Sequence, residues 1–472
     1  MKVRVALVAL LGVAGCAHYQ AQALDPAATA VKFEQRRLDD PRLTAFVAAA
    51  AIAAGETSPR QRWDLTTLTR AALYFHPDLA LARSRLALAR AGVLTARQRP
   101  NPQLTVSGAF TLATTAPPLI IGGLIDIVLE TFGKRAARTD QADALVDAAR
   151  YDLQTAEWIV RGRVRAALID VWGAGLRTAA ADKRVDLQRH LVAMIERRQA
   201  AGEGSSVETA RERIVLAQLD LGRRDIARLQ ADARARLAAA IGVPAAALDG
   251  VSLALDGIAE PVFPAPAALT ANRLTAIASR ADVAAARAGY DAAADGLRLQ
   301  IANQYPNLGV GGGYTSDQGA QKPGGQLALV LPVRNHNEGP VAEAQARRDQ
   351  AAATLTSVQA TVVGQLDAGT AALASTTASL ASADALAAEQ SRRQARLDRA
   401  FALGSIDRPT LVAGQLEAAA IAASRVDLVI AQRQALGLVE DALQRPLFGG
   451  PATPSSETNP RAPARAGAEH RK

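Results

Sequence analysis

The sequence predicts a mainly α-helical fold with a small β part, in which one structural unit occurs twice along the chain. Three observations support this prediction: a repeat with an offset of 204 residues, helix-forming stretches of unusual length, and short segments in which apolar and polar residues alternate. Aromatic residues make up only 4% of the chain, and the long stretches are rich in alanine, leucine and arginine. Such side chains favour helices, and the small ones let helices approach closely.

The repeat aligns without gaps over its best-matched part. Residues 65–111 align with residues 269–315, and 14 of these 47 positions are identical. The shared Pro-x-Leu-x-Val-x-Gly pattern, which begins at Pro102 and at Pro306, does not depend on the abundance of alanine. Self-similarity at a fixed offset indicates a duplicated unit.

Each copy has the same predicted order: a helix, a β-hairpin, a very long helix, a glycine-containing turn and a closing helix. The first helix ends before Pro102 or Pro306, because the residue before a proline favours extended backbone. A helix of about 62 residues is about 93 Å long, and each of the two shorter helices of a copy is about 50 Å long. Two shorter helices placed end to end therefore match one long helix. We therefore expect a tall helical cylinder. The predicted helices are residues 65–98, 138–199 and 207–241 in the first copy and 269–302, 341–402 and 410–444 in the second.

The predicted strands alternate apolar and polar residues. In the segment 103–112, Leu104, Val106 and Phe110 fall on one face and polar residues on the other, as in a strand between an apolar and a polar medium. The segments 308–314 and 327–331 repeat the pattern. Two hairpins supply four strands, whereas membrane barrels start at about eight, so three chains would be needed to supply twelve. A small soluble sheet with one buried face is the alternative.

The N-terminus has the layout of a secretory signal peptide. Lys2 and Arg4 precede an apolar run over residues 5–14 that is too short to span a bilayer. Small residues then lead to Cys16, the only cysteine, in a pattern that resembles the bacterial lipobox. We expect Cys16 to be acylated, and Ala17 favours delivery to the outer membrane. An incidental or buried thiol is the alternative.

These patterns divide the chain into six segments. The division assigns residues 1–15 to a lipoprotein signal peptide, 16–60 to an N-terminal segment, 61–243 to the first repeat, 244–265 to a linker, 266–446 to the second repeat and 447–472 to a disordered tail. The tail is rich in proline, serine and charged residues, a composition typical of disorder.

Composition argues against several classes of function. The formal net charge is +9, but the arginines alternate with acidic residues and form no basic run with aromatics, so we expect no nucleic-acid partner. Gly311 to Gly313 lie inside a predicted strand and form no phosphate loop. We predict neither a cofactor, nor a metal site, nor catalytic activity. The histidines are scattered, at His18, His76, His190, His336 and His470.

Taken together, the blocks HPDLALARSRLALARAG, NPQLTVSGAF and LPVRNHNEGPVAEAQA and the glycine turns resemble the TolC family of outer-membrane factors over residues 61–446. The resemblance implies a homotrimer with a twelve-stranded β-barrel in the outer membrane of a Gram-negative bacterium and a long periplasmic α-helical barrel. It implies an exit duct that conducts what an inner-membrane RND-type pump and a periplasmic membrane-fusion adaptor deliver. The segments Gly133-Lys134-Arg135 and Asn337-Glu338-Gly339 are similar to the branch that serves heavy-metal efflux. A periplasmic coiled-coil adaptor, or a structural lipoprotein without a pore, is the alternative.

The resemblance also implies where functional residues lie. It assigns two turns to the periplasmic tip, where the adaptor binds and the aperture closes, and Glu203 and Asp407 would place rings of negative charge there. Ordinary turn chemistry, with a glycine helix stop and a Ser or Asp N-cap, is the alternative. The predicted tip residues are Gly202, Glu203, Gly204, Ser205, Ser206, Gly404, Ser405, Ile406 and Asp407, and the predicted barrel-to-helix transitions are Pro102, Gly133, Pro306 and Gly339.

Overall fold

A computed structural model of the chain describes residues 19–21, 23–55, 62–110, 119–265, 267, 273–317 and 319–448. The predicted signal peptide and Cys16 lie outside the described residues, as does the predicted tail from residue 449 onward.

The described chain is mainly helical with one small sheet, as predicted. Two helices, α1 (Pro26–Glu34) and α2 (Pro41–Ala53), precede the repeats. The first repeat contains α3 (Leu65–Phe75), α4 (Pro77–Arg97), β1 (Gln103–Phe110), β2 (Leu119–Leu129), α5 (Lys134–Ala200) and α6 (Ser206–Ile241). A 3-10 turn (Ala245–Leu248) and α7 (Asp256–Ala259) lie in the linker. The second repeat contains α8 (Arg273–Ser279), α9 (Ala281–Ala302), β3 (Leu308–Asp317), β4 (Ala320–Leu329), α10 (Glu338–Ala402) and α11 (Arg408–Leu443).

The first helix of each repeat is not continuous, which corrects the prediction of helices over 65–98 and 269–302. The breaks fall at His76 and Arg280, both in extended backbone and 204 residues apart. At His76 the cause is local, because Pro77 lacks an N–H and the Asp78 N–H donates to His76 Nδ1 over 3.2 Å. At Arg280 the cause is tertiary. The Ala281 N–H donates to Gln444 Oε1 over 2.9 Å, and the Arg280 guanidinium donates to the carbonyls of Asp441 and Ala442.

The helices form a wall of four layers. The long helix α5 packs on α4 along one half of its length and on α6 along the other half. On its opposite side α5 packs on α9 and α11, which in turn pack on the long helix α10. The wall therefore has two open edges, one formed by α4 and α6 and the other by α10.

The core lies at the middle of the wall. Fully buried side chains of α5, such as Val160 and Leu168, pack against Ile241 of α6 and Leu436 of α11. The N-terminal segment adds Leu43, which is also fully buried. Phe448 is part of the same core, so the packed chain extends two residues into the segment predicted as tail.

A buried ion-pair network holds the end of α11 against α5. Glu440 has no exposed surface, and its Oε1 accepts from Arg161 Nε over 3.1 Å. Arg165 Nη1 lies 3.0 Å from the same oxygen, as an ion pair without hydrogen-bond geometry. Glu440 Oε2 accepts from the backbone N–H groups of Leu447 and Phe448. One carboxylate thus joins both repeats and the last described residues.

The sheet is antiparallel, with the strand order β1-β2-β3-β4. Each hairpin comes from one repeat, and β2 pairs with β3 across the duplication, with Ile125 opposite Gly312 and Leu129 opposite Leu308. Among the described residues, the strands β1 and β4 are therefore edges without a partner strand.

Candidate functional site

The sheet exposes an apolar face. The register places the odd-numbered residues of β2 on the same face as the apolar residues of the other strands. Twelve large side chains on this face are 42–75% exposed: Leu104, Val106, Phe110, Leu119, Ile121, Ile125, Ile127, Leu129, Val310, Tyr314, Leu327 and Leu329. A soluble sheet buries its apolar face. Within the described part of the chain, this one leaves its apolar face exposed.

The opposite face of the sheet carries mainly polar and small residues, together with Ile120, Leu124 and Val128 of β2. In β2 the residues on this face are half-buried or buried, although those on the apolar face are mostly exposed. A Cβ on Gly313 would lie 2.5 Å from the Gly123 carbonyl oxygen, so glycine is required there by the close approach of β2. The polar and small residues of this face include Gln103, Thr105, Ser107, Gly122, Asp126, Gly309, Gly311, Gly313, Thr315, Lys322, Gly324 and Gln326.

The transition from the sheet to α5 is made by two left-handed residues. Phe132 and Gly133 have φ angles of 55° and 72°, and Gly133 is the N-cap of α5. The corresponding left-handed residue before α10 is Asn337, with φ of 61°. Gly339 lies within the first turn of α10 and has no positive φ, so the left-handed residue of this transition is not the predicted glycine. Asn337 takes that conformation because asparagine tolerates it.

Cations that follow Gly133 cap the end of α4. Arg135 Nε donates to the Arg97 carbonyl over 3.1 Å, and Arg138 donates to the carbonyls of Ala96 and Gln98. These are C-terminal carbonyls that lack partners within the helix. Arg138 also forms a bidentate pair with Glu130, which lowers the pKa of that carboxyl. The Gly-Lys-Arg segment therefore has a structural task at this junction.

Lys134 joins the two transitions. Its Nζ donates to the Tyr305 carbonyl and to Asn307 Oδ1, each over 2.6 Å, and burial lowers the pKa of its ammonium group. The Thr131 hydroxyl donates to the Pro306 carbonyl over 2.6 Å. Pro306 thus lies at a contact between the repeats, whereas Pro102 is exposed directly before β1.

The first predicted tip turn follows ordinary helix-end chemistry. Gly202 is left-handed with φ of 81°, and the Glu203 N–H donates to the Arg198 carbonyl over 2.9 Å. Ser205 is the N-cap of α6, its hydroxyl accepting from the Val207 N–H. Ser206 is the first residue of α6. Among the described residues, the Glu203 carboxylate has no hydrogen-bond or ion-pair partner.

The second predicted tip turn also has a left-handed glycine followed by an N-cap residue, but here the N-cap is an aspartate. Gly404 is left-handed with φ of 71°, and the Ser405 N–H donates to the Ala400 carbonyl over 2.8 Å. Asp407 caps α11 by accepting from the Thr410 N–H and hydroxyl, over 3.0 and 2.5 Å. These hydrogen bonds and the charge of Arg198 lower the pKa of Asp407. Ile406 is half-buried beside the cap.

Arg198 connects the two turns, and sequence reasoning missed it. Its Nη1 donates to Asp407 Oδ2 over 3.2 Å, from the end of α5 to the start of α11. Above this ion pair, Leu191 and Ile195 of α5 pack on Val412 of α11. The turns lie 200 residues apart in sequence, and no local spacing marks Arg198 as the partner of Asp407. The structure therefore brings the two predicted turns together within one chain.

Both edges of the helical wall carry heptad-like stripes that are exposed in the described part of the chain. On α6, Val207, Ile214 and Leu221 recur every seven residues and are 76%, 59% and 62% exposed. Ala210 and Ala217 complete the three- and four-residue spacing of a coiled-coil seam. On α10 the exposed alanines at alternating spacings of three and four are Ala371, Ala374, Ala378, Ala381, Ala385 and Ala388.

Two features common to other kinds of site are not found in the described part of the chain. No group of three or more His, Cys, Asp or Glu residues there is arranged to hold a metal ion. Within the same residues, every helix is too short or too polar to cross a membrane. His76 is an N-cap residue, as its position before Pro77 predicts, and burial lowers the pKa of its imidazole.

Comparison with known proteins gives a family match for part of the chain and a fold match for most of it. The sequence profile of the outer membrane efflux protein family matches residues 68–243. No curated protein matches the chain. A crystallised membrane protein from Pseudomonas aeruginosa is 19% identical with a TM-score of 0.66, and the alignment covers 80% of this chain and 93% of that one.

Two named channels have the same fold. The outer-membrane channel OprN is 17% identical with a TM-score of 0.66, covering 91% of this chain and 98% of its own. The outer membrane protein VceC from Vibrio cholerae is 16% identical with a TM-score of 0.65, covering 80% of this chain and 95% of its own. Residues 68–243 are therefore an outer membrane efflux protein domain, and the chain has the fold of the TolC-family outer-membrane efflux channels.

Proposed function

We propose that this protein is the outer-membrane exit duct of a tripartite efflux system, a passive channel and not an enzyme. The observation that carries the proposal is the exposed apolar face of the sheet, with a polar, glycine-lined face behind it. Apolar residues that are outward and polar residues that are inward characterise strands around a membrane pore.

Closure of the sheet requires further copies of the chain. The strands β1 and β4 present unpaired backbone groups, which cannot remain open in the hydrocarbon core of a bilayer. Pairing of β4 with β1 of a neighbouring copy removes both edges. Three copies give the twelve strands of a closed barrel, with the apolar face toward lipid and the polar face toward the lumen.

The two edges of the helical wall, α6 and α10, are also complementary to each other. At 1.5 Å per residue, Leu221 of α6 and Ala388 of α10 both lie about 22–24 Å from their turns. By the same count Ile214 is level with Ala395, and Val207 with Ala402. Large apolar residues on one edge thus meet alanines on the other. Contacts between unlike edges form a closed ring when the rotation from one copy to the next divides a full turn evenly. Because three copies supply twelve strands, we infer a homotrimer.

The proposed duct has a defined orientation. The sheet lies in the outer membrane, and the two turns lie at the other end of α5, about 100 Å away for its 67 residues. That end extends into the periplasm, toward a membrane-fusion adaptor and an inner-membrane RND-type pump. Acylated Cys16 serves as a second attachment to the membrane beside the barrel.

We assign closure of the duct to the tip, which consists of the turns at residues 202–206 and 404–407. A trimer contains three copies of each acid, so that Glu203 and Asp407 form two rings of carboxylates at the entrance. The charge of Asp407 is offset by Arg198, which leaves Glu203 as the exposed uncompensated acid. The Arg198–Asp407 pair holds the two helical hairpins of one chain together, and its release would let the hairpins separate.

Disulfide trapping tests the proposed assembly. The Ile214→Cys/Ala395→Cys variant should form a covalent trimer in outer-membrane fractions under oxidation. The matched control, Ile214→Cys with Ala388→Cys, shifts one thiol about 10 Å along α10 and should not cross-link. Reconstituted trimers should then conduct ions in planar bilayers. A soluble monomer without conductance would contradict the duct and favour the adaptor or structural lipoprotein.

A further inference from the structure

The polar face of the sheet carries three ionisable side chains among the described residues: Asp126, Asp317 and Lys322. Lys322 Nζ donates to Asp317 Oδ2 over 2.8 Å, so these two charges cancel as a pair. Asp126 has no ion-pair partner in the described part of the chain. The nearest acid along the strand, Glu130, is neutralised by Arg138. One uncompensated negative charge therefore remains on this face.

The surroundings of Asp126 leave its charge without a compensating partner on the sheet. Its Oδ1 is enclosed and accepts no hydrogen bond. The neighbours on β3 are glycines, and a Cβ on Gly309 or Gly311 would lie 3.4 or 3.3 Å from this oxygen. No side chain on β3 can therefore supply a donor, and no bulky residue covers the carboxylate from that strand.

Asp126 also belongs to a level row across the whole sheet. The register joins Gln103 of β1, Asp126 of β2, Gly311 of β3 and Gln326 of β4. The other members of the row are neutral. In a ring of three copies this row becomes a belt of amides and glycines that carries three carboxylates at one height.

We propose that Asp126 makes the lumen at the sheet selective for cations over anions. This inference rests on the proposed trimeric duct and adds a selectivity determinant about 100 Å from the tip, at the opposite end of the helices. The favoured solutes are small inorganic and organic cations. The other residues of the row are glycines and neutral amides, which do not narrow the lumen. The row therefore selects solutes by charge and not by size.

The strength of the effect depends on ionic strength. The Debye length is about 30 Å at 10 mM salt and about 3 Å at 1 M. Three carboxylates around a wide lumen therefore act together in dilute salt and are screened in concentrated salt. A narrow constriction would retain its selectivity more fully, so this salt dependence is a signature of the proposed belt.

Reversal potentials in planar bilayers test the inference. Asp126→Asn should lower the potassium-to-chloride permeability ratio at 10 mM KCl by about twofold or more, with little change at 1 M. The matched control, Asp317→Asn with Lys322→Gln, removes a neutral pair and should leave the ratio unchanged. If pores form and Asp126→Asn leaves the ratio at its original value, the inference is overturned and the duct stands. If the wild-type protein forms no pores, the proposed function itself fails.

Thiol accessibility provides a second readout that does not depend on conductance. Cysteine at Asp126 or at Ser107, on the polar face, should react with water-soluble thiol reagents in reconstituted vesicles. Cysteine at Val106, on the apolar face, should be protected. At Ser107→Cys a cationic methanethiosulfonate should react faster than an anionic one, and Asp126→Asn should remove that difference. Equal rates with Asp126 intact would overturn the inference.

Discussion

The two repeats make the same junction with arginines from different parts of the chain. In each repeat the last helix ends in a left-handed residue, Gly242 or Gln444, beside the break between the first two helices. At the second junction Arg280, which lies at the break itself, donates to the carbonyls of Asp441 and Ala442.

At the first junction His76 occupies the corresponding position, and the arginine comes from outside the repeat. Arg36 of the N-terminal segment donates to the Phe75 carbonyl over 2.9 Å and to the Gly242 carbonyl over 2.6 Å. It also stacks on the rings of Phe33 and Phe75. Helix-end carbonyls need donors, and the comparison shows that the donor need not belong to the duplicated unit. The N-terminal segment is therefore part of the first repeat's packing.

The largest expected effect comes from the residue that joins the repeats. Glu440→Gln should destabilise the protein by about 3–5 kcal/mol, because Arg161 would remain buried without a charge partner and the buried Arg165 would keep only Asp441. Thermal unfolding in detergent measures the loss. Asp427→Asn, which breaks the exposed pair with Arg177, should change stability by less than about 1 kcal/mol. Equal effects of the two variants would mean that the buried network does not hold the repeats together.

Loss of the two junction arginines, Arg36 and Arg280, should expose different segments of the chain. Arg280→Ala and Arg36→Ala should each cost about 2–3 kcal/mol, since each removes charged hydrogen bonds to buried carbonyls. Limited proteolysis distinguishes them: only Arg36→Ala should make the segment 26–53 sensitive to cleavage. Comparable sensitivity in Arg280→Ala would show that the N-terminal segment is not fastened by the first junction.

The two tip turns should respond differently to loss of their acids. Asp407→Asn keeps the N-cap, because asparagine also caps helices, but breaks the pair with Arg198 and should raise open probability in planar bilayers. Glu203→Gln should lower the cation preference at low and at high salt and leave the open probability unchanged. The same response to both variants would contradict the assignment of the hairpin tie to Asp407 alone.

The pH dependence of the tip follows from the lowered pKa of Asp407. A carboxyl whose pKa is lowered by folding contributes stability above the unfolded value, about 3.9 for aspartate, and loses it as pH falls through the folded pKa. The Arg198–Asp407 tie should therefore be constant from pH 8 to about pH 5. Open probability that rises between pH 7 and 5 in the wild type would point to a different group.

The smallest expected effects are at the two transitions. Gly133→Ala should cost about 1 kcal/mol, since a left-handed backbone is strained for alanine. Gly339→Ala should cost less than Gly133→Ala, because Gly339 is helical and a Cβ there would meet no atom within 4 Å outside its chain neighbours, and only the ring of Pro340 opposes it. Thermal shift assays on both variants check this difference, and equal losses would restore Gly339 as a strained position.

The sequence was sufficient to predict the elements that have a regular pattern of apolar residues. Alternation in 103–110 identified β1, and the helix-forming stretches identified the long helices to within a few residues, whereas β4 begins at Ala320, seven residues before the predicted segment. Pro77 could have indicated the break at His76. The break at Arg280 could not be predicted, because it depends on carbonyls about 160 residues further along the chain.

The candidate site was predictable only in outline. Glycine and Ser or Asp marked both turns, but the partner of Asp407 lies in the other repeat. The sequence predicted Gly339 as the transition residue before α10, whereas Asn337 takes the left-handed conformation there. Which acids are neutralised depends on pairs across repeats and strands, and these form only when the chain is folded.

The most direct test of the account is an electron cryo-microscopy map of the protein extracted from outer membranes into lipid nanodiscs. We predict a threefold ring in which β4 of each copy pairs with β1 of the next, α6 packs on the neighbouring α10, and lipid surrounds the apolar face of the sheet. A map in which protein covers that apolar face, or in which the chains do not close into a ring, would contradict the account.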